Sequence, residues 1–240
     1  MPGVSGSPQH FYPSRSNFGE TFARVVPTTV AEAKALVGRM KHDGVTRLQI
    51  DDDGSDYGRS VAAEVHSDAS AAGISVGGSG AYFYAGLPGP AATKALDAAV
   101  TRGSGAKLYA PSALYDDAFV GGLSSAAQGA LTVSAPGFAS SRLDATGRAF
   151  QTSFQSHYGH APVPQAIFGY EAMRAVLAVL KEAGSHAAVR QTVVSDFRSL
   201  KRTAAESAVG AYTIKGGDTN LAQFVFAGVS GGRLVPRTAG

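Results

Sequence analysis

No cysteine occurs in the 240 residues of the chain, which excludes disulfides, zinc–thiolate sites and thiol catalysis. Its absence does not identify a compartment, because a cysteine-free chain folds in either redox environment. Charge is also sparse. Asp, Glu, Lys and Arg make up 16% of the residues, and 21 basic against 18 acidic side chains leave a net charge of +3. No run of Lys and Arg interleaved with aromatics appears, so no nucleic-acid partner is expected. No apolar stretch approaches the roughly 20 residues that span a bilayer. The nearest, Ala166 to Leu180, is interrupted by Glu171 and Arg174. The opening MPGVSGSPQHFYPSRS lacks the basic and apolar regions of a signal peptide, so neither export nor membrane insertion is expected of the chain as written.

What is present is a 44% hydrophobic chain with 30 glycines, enough apolar mass for one large domain or two small lobes. Residues 1–20 read as irregular, and TFARVV as a short alternating strand. VAEAKALVGRMKHDG carries Val30, Ala33, Leu36, Val37 and Met40 at helical spacing, with Gly44 as the stop. TRLQI is a strand, DDDGSDYG a loop at its carboxyl end, and Tyr57 to Ala72 a helix with Val61 and Val65 on one face. ISV, AYFYAG, KLYAP and GALTVSAP follow as strands, with a helix from Pro88 to Arg102 and a short one in LYDDAFVGGL. This alternation implies an α/β fold, a parallel sheet with helices on both faces. After Pro136 the pattern turns helical: LDATGRAFQTSFQSHYG, PVPQAIFGYEAMRAVLAVLKEAG and HAAVRQTVVSDFRSL. Short strands joined by glycine turns close the chain as an expected hairpin, in GAYTI, LAQFVFAGV and GGRLVP.

The order of these pieces resembles a type I periplasmic binding protein, and more narrowly the branched-chain amino acid-type solute-binding proteins of ABC importers. The resemblance is carried by ARVVPTTVAEAKALVGRM, RLQIDDDGSDYGRSVAAEV, FYAGLPGPAATKAL, LYAPSALYDDAFVGGLSSAAQGALTVSA, FGYEAMRAVLAVLKEAGS and GAYTIKGGDTNLAQFVFAGVSGGRLVP, in family order. It implies a ligand cleft between two lobes, a small-molecule ligand, an ABC permease as partner, a periplasmic or extracellular setting for the parent family, and no cofactor. It also implies the division of the chain: 1–20 as a remnant of the first lobe, 21–135 as the α/β second lobe, and 136–240 as crossing helices and C-terminal strands completing the lobes.

Two departures stand out. The opening β-α repeats of the first lobe are absent, so one lobe is largely present and the other incomplete. GGSG alone joins ISV to AYFYAG where the family has a long helical segment. Parallel strands need a crossover of a dozen or more residues, so the two are not expected to hold their usual parallel positions together. GGSG also reads as an engineered flexible linker. The alternative to solute capture is therefore a trimmed or engineered fragment with no retained ligand function. A homodimer through the incomplete lobe is expected from the apolar surface and unpaired strand edges left behind.

The resemblance places Tyr57 over the ligand and assigns its carboxylate to the loop holding Ser5 and Ser7. Tyr84, Leu87 and Ser112 are cleft-lining candidates. At Ser112 amino acid-binding members carry an acidic residue that pairs with the ligand ammonium, and here only a hydroxyl stands. The plain readings are a tyrosine packed on its own lobe and a terminal segment that touches nothing. Asp51, Asp52 and Asp53 invite a metal or phospho-receiver reading, but no acceptor Asp follows AYFYAG, so they read as loop carboxylates with Asp56 as helix N-cap. No G-x-S-x-G elbow occurs, and His157 and His160 lack a third ligand, so no catalytic or metal residue is assigned.

Overall fold

The computed structural model describes residues 22–102 and 106–237. The chain divides into two compact units, each assembled from separate stretches of sequence. The larger holds Thr29–Ala135 and the C-terminal strands; the smaller holds Pro136–Gln223 with the residues just before Thr29.

The larger unit is a seven-stranded sheet of β1 (Arg47–Asp52), β2 (Ser75–Val76), β3 (Ala81–Ala85), β4 (Leu108–Ala110), β5 (Leu131–Pro136), β9 (Phe224–Ser230) and β10 (Arg233–Pro236). Its spatial order is β10-β9-β5-β4-β3-β1-β2. The pairs β1–β2, β1–β3, β3–β4 and β4–β5 are parallel, and β9–β10 is an antiparallel hairpin. Helices α1 (Thr29–His42), α2 (Asp56–Ala71), α3 (Pro90–Arg102), α4 (Asp117–Gly121) and α5 (Ser125–Ala130) cover it.

Side-chain alternation along β3 sorts the core into two layers. Ala81, Phe83 and Ala85 face Leu36, Met40, Val61 and Val65 of α1 and α2. Tyr82 and Tyr84 face Leu96 of α3, Val120 of α4 and Ala127 of α5. Leu36, Met40, Leu48, Val61 and Leu96 are fully buried, and each such side chain stabilises the fold by roughly 1.5–3 kcal/mol. Helix α1 stops where the sequence predicts. Gly44 takes φ 75°, and the Val45 N–H donates to the Met40 carbonyl at 2.9 Å, a closure that glycine permits without steric cost. One predicted stripe position departs: Val30 is 49% exposed, and the buried face carries Glu32 instead.

The joint between β2 and β3 corrects an expectation. Both strands lie parallel to β1, one on each side. A long crossover returns the chain to the start of the next strand, and here no return is needed. β2 has only two residues and ends with Val76 level with Leu48, where β3 begins with Ala81. Gly77-Gly78-Ser79-Gly80 therefore steps straight across the start of β1. A Cβ on Gly80 would lie 2.5 Å from the Arg47 carbonyl oxygen, so only glycine allows the approach.

The smaller unit contains α6 (Ala145–Tyr158), α7 (Ala166–Ala183), α8 (Arg190–Arg198) and the antiparallel strands β6 (Lys201–Arg202), β7 (Tyr212–Lys215) and β8 (Asp218–Thr219). Its core gathers Val25, Leu143, Ile167, Phe168, Val179, Tyr212 and Ile214. Residues 22–26 form no strand, against the expectation from TFARVV. They dock through a bond from the Arg24 N–H to the Gly217 carbonyl at 2.9 Å, a 2.6 Å ion pair between Arg24 and Asp218 and burial of Val25, and Pro27 has no N–H to extend a ladder. The single expected C-terminal hairpin is two: β7–β8 in the smaller unit and β9–β10 in the larger. Among the described residues no helix is long and apolar enough to cross a membrane.

Candidate functional site

Loops at the carboxyl ends of β1, β3, β4 and β5 form one edge of the larger unit, the edge where open α/β sheets bind ligands. The loop after β1 is built on Asp53. Its Oδ1 accepts from the Ser55 N–H at 2.9 Å and the Ser55 hydroxyl at 2.5 Å, and its Oδ2 accepts from the Leu87 N–H at 2.9 Å. Burial pushes the Asp53 carboxyl up, but these bonds outweigh it and hold the group below the usual range. The side chain fills a slot that two glycines leave open. A Cβ on Gly86 would come within 2.8 Å of the Asp53 carboxyl carbon, and one on Gly58 within 2.8 Å of the Ala85 carbonyl oxygen.

Ser55, not Asp56, caps α2: its hydroxyl accepts from the Gly58 N–H at 2.9 Å. The serine is pre-oriented by Asp53, whereas exposed Asp56 pairs with Arg59 at 2.5 Å. Asp52 accepts from the Gly54 N–H at 2.7 Å, and Asp51 from the Tyr82 hydroxyl at 2.8 Å. The three aspartates thus serve separate partners, and among the described residues no group of three His, Asp or Glu side chains is placed to hold a metal.

The second element is a buried carboxylate that the sequence reading missed. Glu32, in the first turn of α1, is 3% exposed. Its Oε1 accepts from the Ser112 N–H and the Ser134 hydroxyl, each at 2.6 Å, and its Oε2 from the Ser112 hydroxyl at 3.1 Å. Burial raises its pKa, against the lowering effect of the Ser134 and Ser112 bonds. Among the described residues no cation pairs with it. Ser112 carries no acid of its own, and the carboxylate beside it belongs to Glu32 of α1. A signal existed in the sequence: Glu32 falls on the apolar face of α1, and Ser134 is, with Thr132, one of two hydroxyl side chains in the strand LTVSAP.

The candidate residues separate into groups. Tyr57 packs its ring on the α1–α2 side of the core. Burial first, and the Glu32 charge second, push its hydroxyl pKa well up, while Ala113 and Ser112 hydrogen-bonding groups pull it down. Tyr57, Ser112 and Glu32 therefore form one polar cluster. Leu87 is 51% exposed at the end of β3 and joins the Asp53 loop. Tyr84 is 2% exposed and belongs to the opposite face of the sheet, with no hydrogen-bond partner for its hydroxyl among the described residues. Ser5 and Ser7 lie outside the described residues. His157 and His160 stand at the end of α6 among aromatic rings, with ring centroids 4.6 Å from Tyr158 and 5.6 Å from Phe154, respectively.

No family model matches the chain, and no curated protein does. Solved structures do. An ABC transporter substrate-binding protein from Desulfitobacterium hafniense, in complex with Leu, aligns at TM-score 0.76 and 19% identity, covering 98% of this chain and 72% of its own. A leucine-binding protein from Thermotoga maritima aligns at TM-score 0.76 and 18% identity, covering 91% and 67%. A solute-binding protein of an ABC transporter from R. palustris, in complex with benzoate, aligns at 0.67 and 16%, covering 89% and 64%. The mostly parallel seven-stranded sheet with helices on both faces is the fold of type I periplasmic binding proteins. Within that fold the chain is similar to the branched-chain amino acid-type substrate-binding proteins of ABC transporters, over about 70% of their length.

Proposed function

We propose that the chain captures a small polar organic solute, amino acid-like or a carboxylate, reversibly and without chemistry, for delivery to an ABC permease in the periplasmic setting of the parent family. In this reading residues 21–135 are most of the second lobe and 136–240 the crossing helices and closing strands. The observation that carries it is the Tyr57–Ser112–Glu32 cluster at the carboxyl edge of the sheet. A buried carboxylate with no cation beside it among the described residues suits a solute that brings its own ammonium, since an unpaired buried charge is costly. An exposed Leu87 supplies apolar contact. Calorimetry against amino acids, amides and small carboxylates tests the proposal. Saturable heat for one class, weakened by Tyr57→Ala, is expected, and uniform absence of heat from a folded sample sinks it.

A second reading, a folded fragment that retains no ligand capture, is favoured by the 72% of the Desulfitobacterium protein's length that the chain spans. It predicts that same absence of heat. A homodimer through the incomplete lobe is a separate proposal. Tyr170, Met173 and Leu177, at i, i+3 and i+7 of α7, are 38%, 60% and 58% exposed and support it. A strictly monomeric light-scattering profile at high concentration would end it.

A further inference from the structure

The larger unit has a cavity at the end of its sheet opposite the Tyr57–Ser112–Glu32 cluster, where β4 and β5 begin. Its volume is about 570 Å³, within the range of small-molecule sites. Tyr109 and Thr132, neighbours in register on β4 and β5, are among its lining residues and are 1% and 3% exposed. Ala126, Gly129 and Ala130 of α5 give it a wall of small residues. Three charged side chains complete the lining: Asp43, Lys107 and Arg237.

The charges do not cancel inside the cavity. Asp43 is already matched, because the Arg39 Nε donates to both its oxygens at 3.0 Å and the Tyr109 hydroxyl donates at 2.8 Å. Burial raises the Asp43 carboxyl, but these donors bring it below the usual range, so it stays ionised and Arg39 stays occupied. Lys107 donates only to a carbonyl, that of Asp43. Arg237 crosses β9 over Gly228, where a Cβ would lie 2.7 Å from its Nε, and its Nη2 reaches the Leu131 carbonyl at 3.4 Å. Among the described residues no carboxylate pairs with Lys107 or Arg237. Two cations thus stand at one cavity, with the Thr132 hydroxyl among its lining groups. A guanidinium fork and an ammonium together suit an oxyanion with several acceptor oxygens.

We propose that this cavity is a binding site for a small organic oxyanion, a phosphate monoester or dicarboxylate, seated between Arg237 and Lys107 with its carbon part against the α5 wall. The site shares no residue with the Tyr57–Ser112–Glu32 cluster, so it stands or falls independently of the proposed solute.

The test is a two-dimensional amide NMR titration of the full chain with inorganic phosphate, glycerol 3-phosphate and succinate, each at matched ionic strength. Saturable shifts at Lys107, Tyr109 and Thr132, with a dissociation constant near or below about 1 mM, are expected for at least one probe. Response to the two phosphates alone assigns a phosphate ligand, response to succinate alone a carboxylate, and response to all three the shared oxyanion chemistry. Arg237→Met and Lys107→Met should each weaken binding about tenfold, a loss of about 1.4 kcal/mol. Arg233→Met, on the same hairpin but outside the cavity, should leave it unchanged. Linear, unsaturated shifts up to about 10 mM for every probe, or an equal loss in Arg233→Met, overturn the proposal.

Discussion

The Ser134 hydroxyl donates a 2.6 Å hydrogen bond to Glu32 Oε1 across 102 residues of sequence. That bond ties the first turn of α1 to the carboxyl end of β5, and the Ser112 bonds add the turn after β4. Three segments that meet nowhere in sequence are thereby fixed around one buried carboxylate. Such a centre is costly to form and more costly to break in part, because each freed donor loses water without regaining a partner.

Replacing Glu32 should expose that asymmetry. Glu32→Ala leaves the Ser112 N–H and two hydroxyls without their acceptor and should lower stability by about 1–3 kcal/mol. Glu32→Gln keeps an acceptor and removes the charge. The folded pKa of Glu32 is raised, so the native state holds the proton more tightly than the unfolded chain. Wild-type stability therefore declines as pH rises from the ordinary glutamate value through the raised one. Glu32→Gln lacks that decline, so the gap favouring the wild type should be widest in acid and narrow towards neutrality. Urea unfolding at a series of pH values measures it, and a gap that widens with pH contradicts the assignment.

Asp53 should behave with the opposite sign. Its folded pKa is depressed, so its contribution is complete above the ordinary aspartate value and is lost as pH falls through the folded one. Asp53→Asn should cost about 1–2 kcal/mol at neutral pH, the lower part of the range for hydrogen bonds to charged groups because the side chain is only partly buried. The difference should vanish in acid. Paired thermal melts at neutral and acid pH decide it, and an equal deficit at both would show that the carboxylate charge plays no part.

The short step between β2 and β3 makes a steric prediction. Gly80→Ala drives a methyl group into the Arg47 backbone and should destabilise by about 2 kcal/mol or more. Ser79→Ala, one residue earlier and exposed, should fall within about 0.5 kcal/mol of the wild type. Chemical denaturation of both variants is the measurement, and similar midpoints would mean that the chain does not cross over Arg47 as described.

That same joint marks the boundary of what the sequence made legible. The helical stripe of Leu36, Val37 and Met40, the stop at Gly44 and the strand at TRLQI are local patterns, and local patterns are readable when period, cap and turn agree. The step through GGSG was not readable, because it depends on β2 pairing for only two residues, a fact of register rather than composition. The misplaced N-cap has a similar origin. Ser55 and Asp56 are both good caps by type, and the choice was made by Asp53, held in a slot between Gly58 and Gly86. Tyr57 and Ser112 could be singled out by resemblance, but their partner Glu32 could not. Its relation to Ser112 spans 80 residues and needs the sheet order to bring it about.

In the smaller unit Glu171 offers the sharpest stability test. It is fully buried on α7 and accepts from the Ala208 N–H at 2.9 Å and the Tyr212 hydroxyl at 3.1 Å. Arg174 and Arg202 stand 3.6 and 3.7 Å away. Removing the acid strands two donors and takes the carboxylate from two guanidinium groups, which keep their bonds to the Glu206 carbonyl. Glu171→Ala should therefore cost about 3–5 kcal/mol, the range for breaking one side of a buried ion pair. Glu171→Gln should cost less, because one amide oxygen can still serve the Ala208 N–H. The two variants also differ from a merely packed residue in a spectroscopic way. Burial first, then the Glu171 charge and its hydrogen bond, raise the Tyr212 phenol far above its ordinary value. Glu171→Gln removes the charge and should move that phenol back down, visible as earlier phenolate absorbance in an alkaline titration, with Tyr212→Phe identifying the signal. A loss of stability without that shift would place the contribution of Glu171 in packing alone.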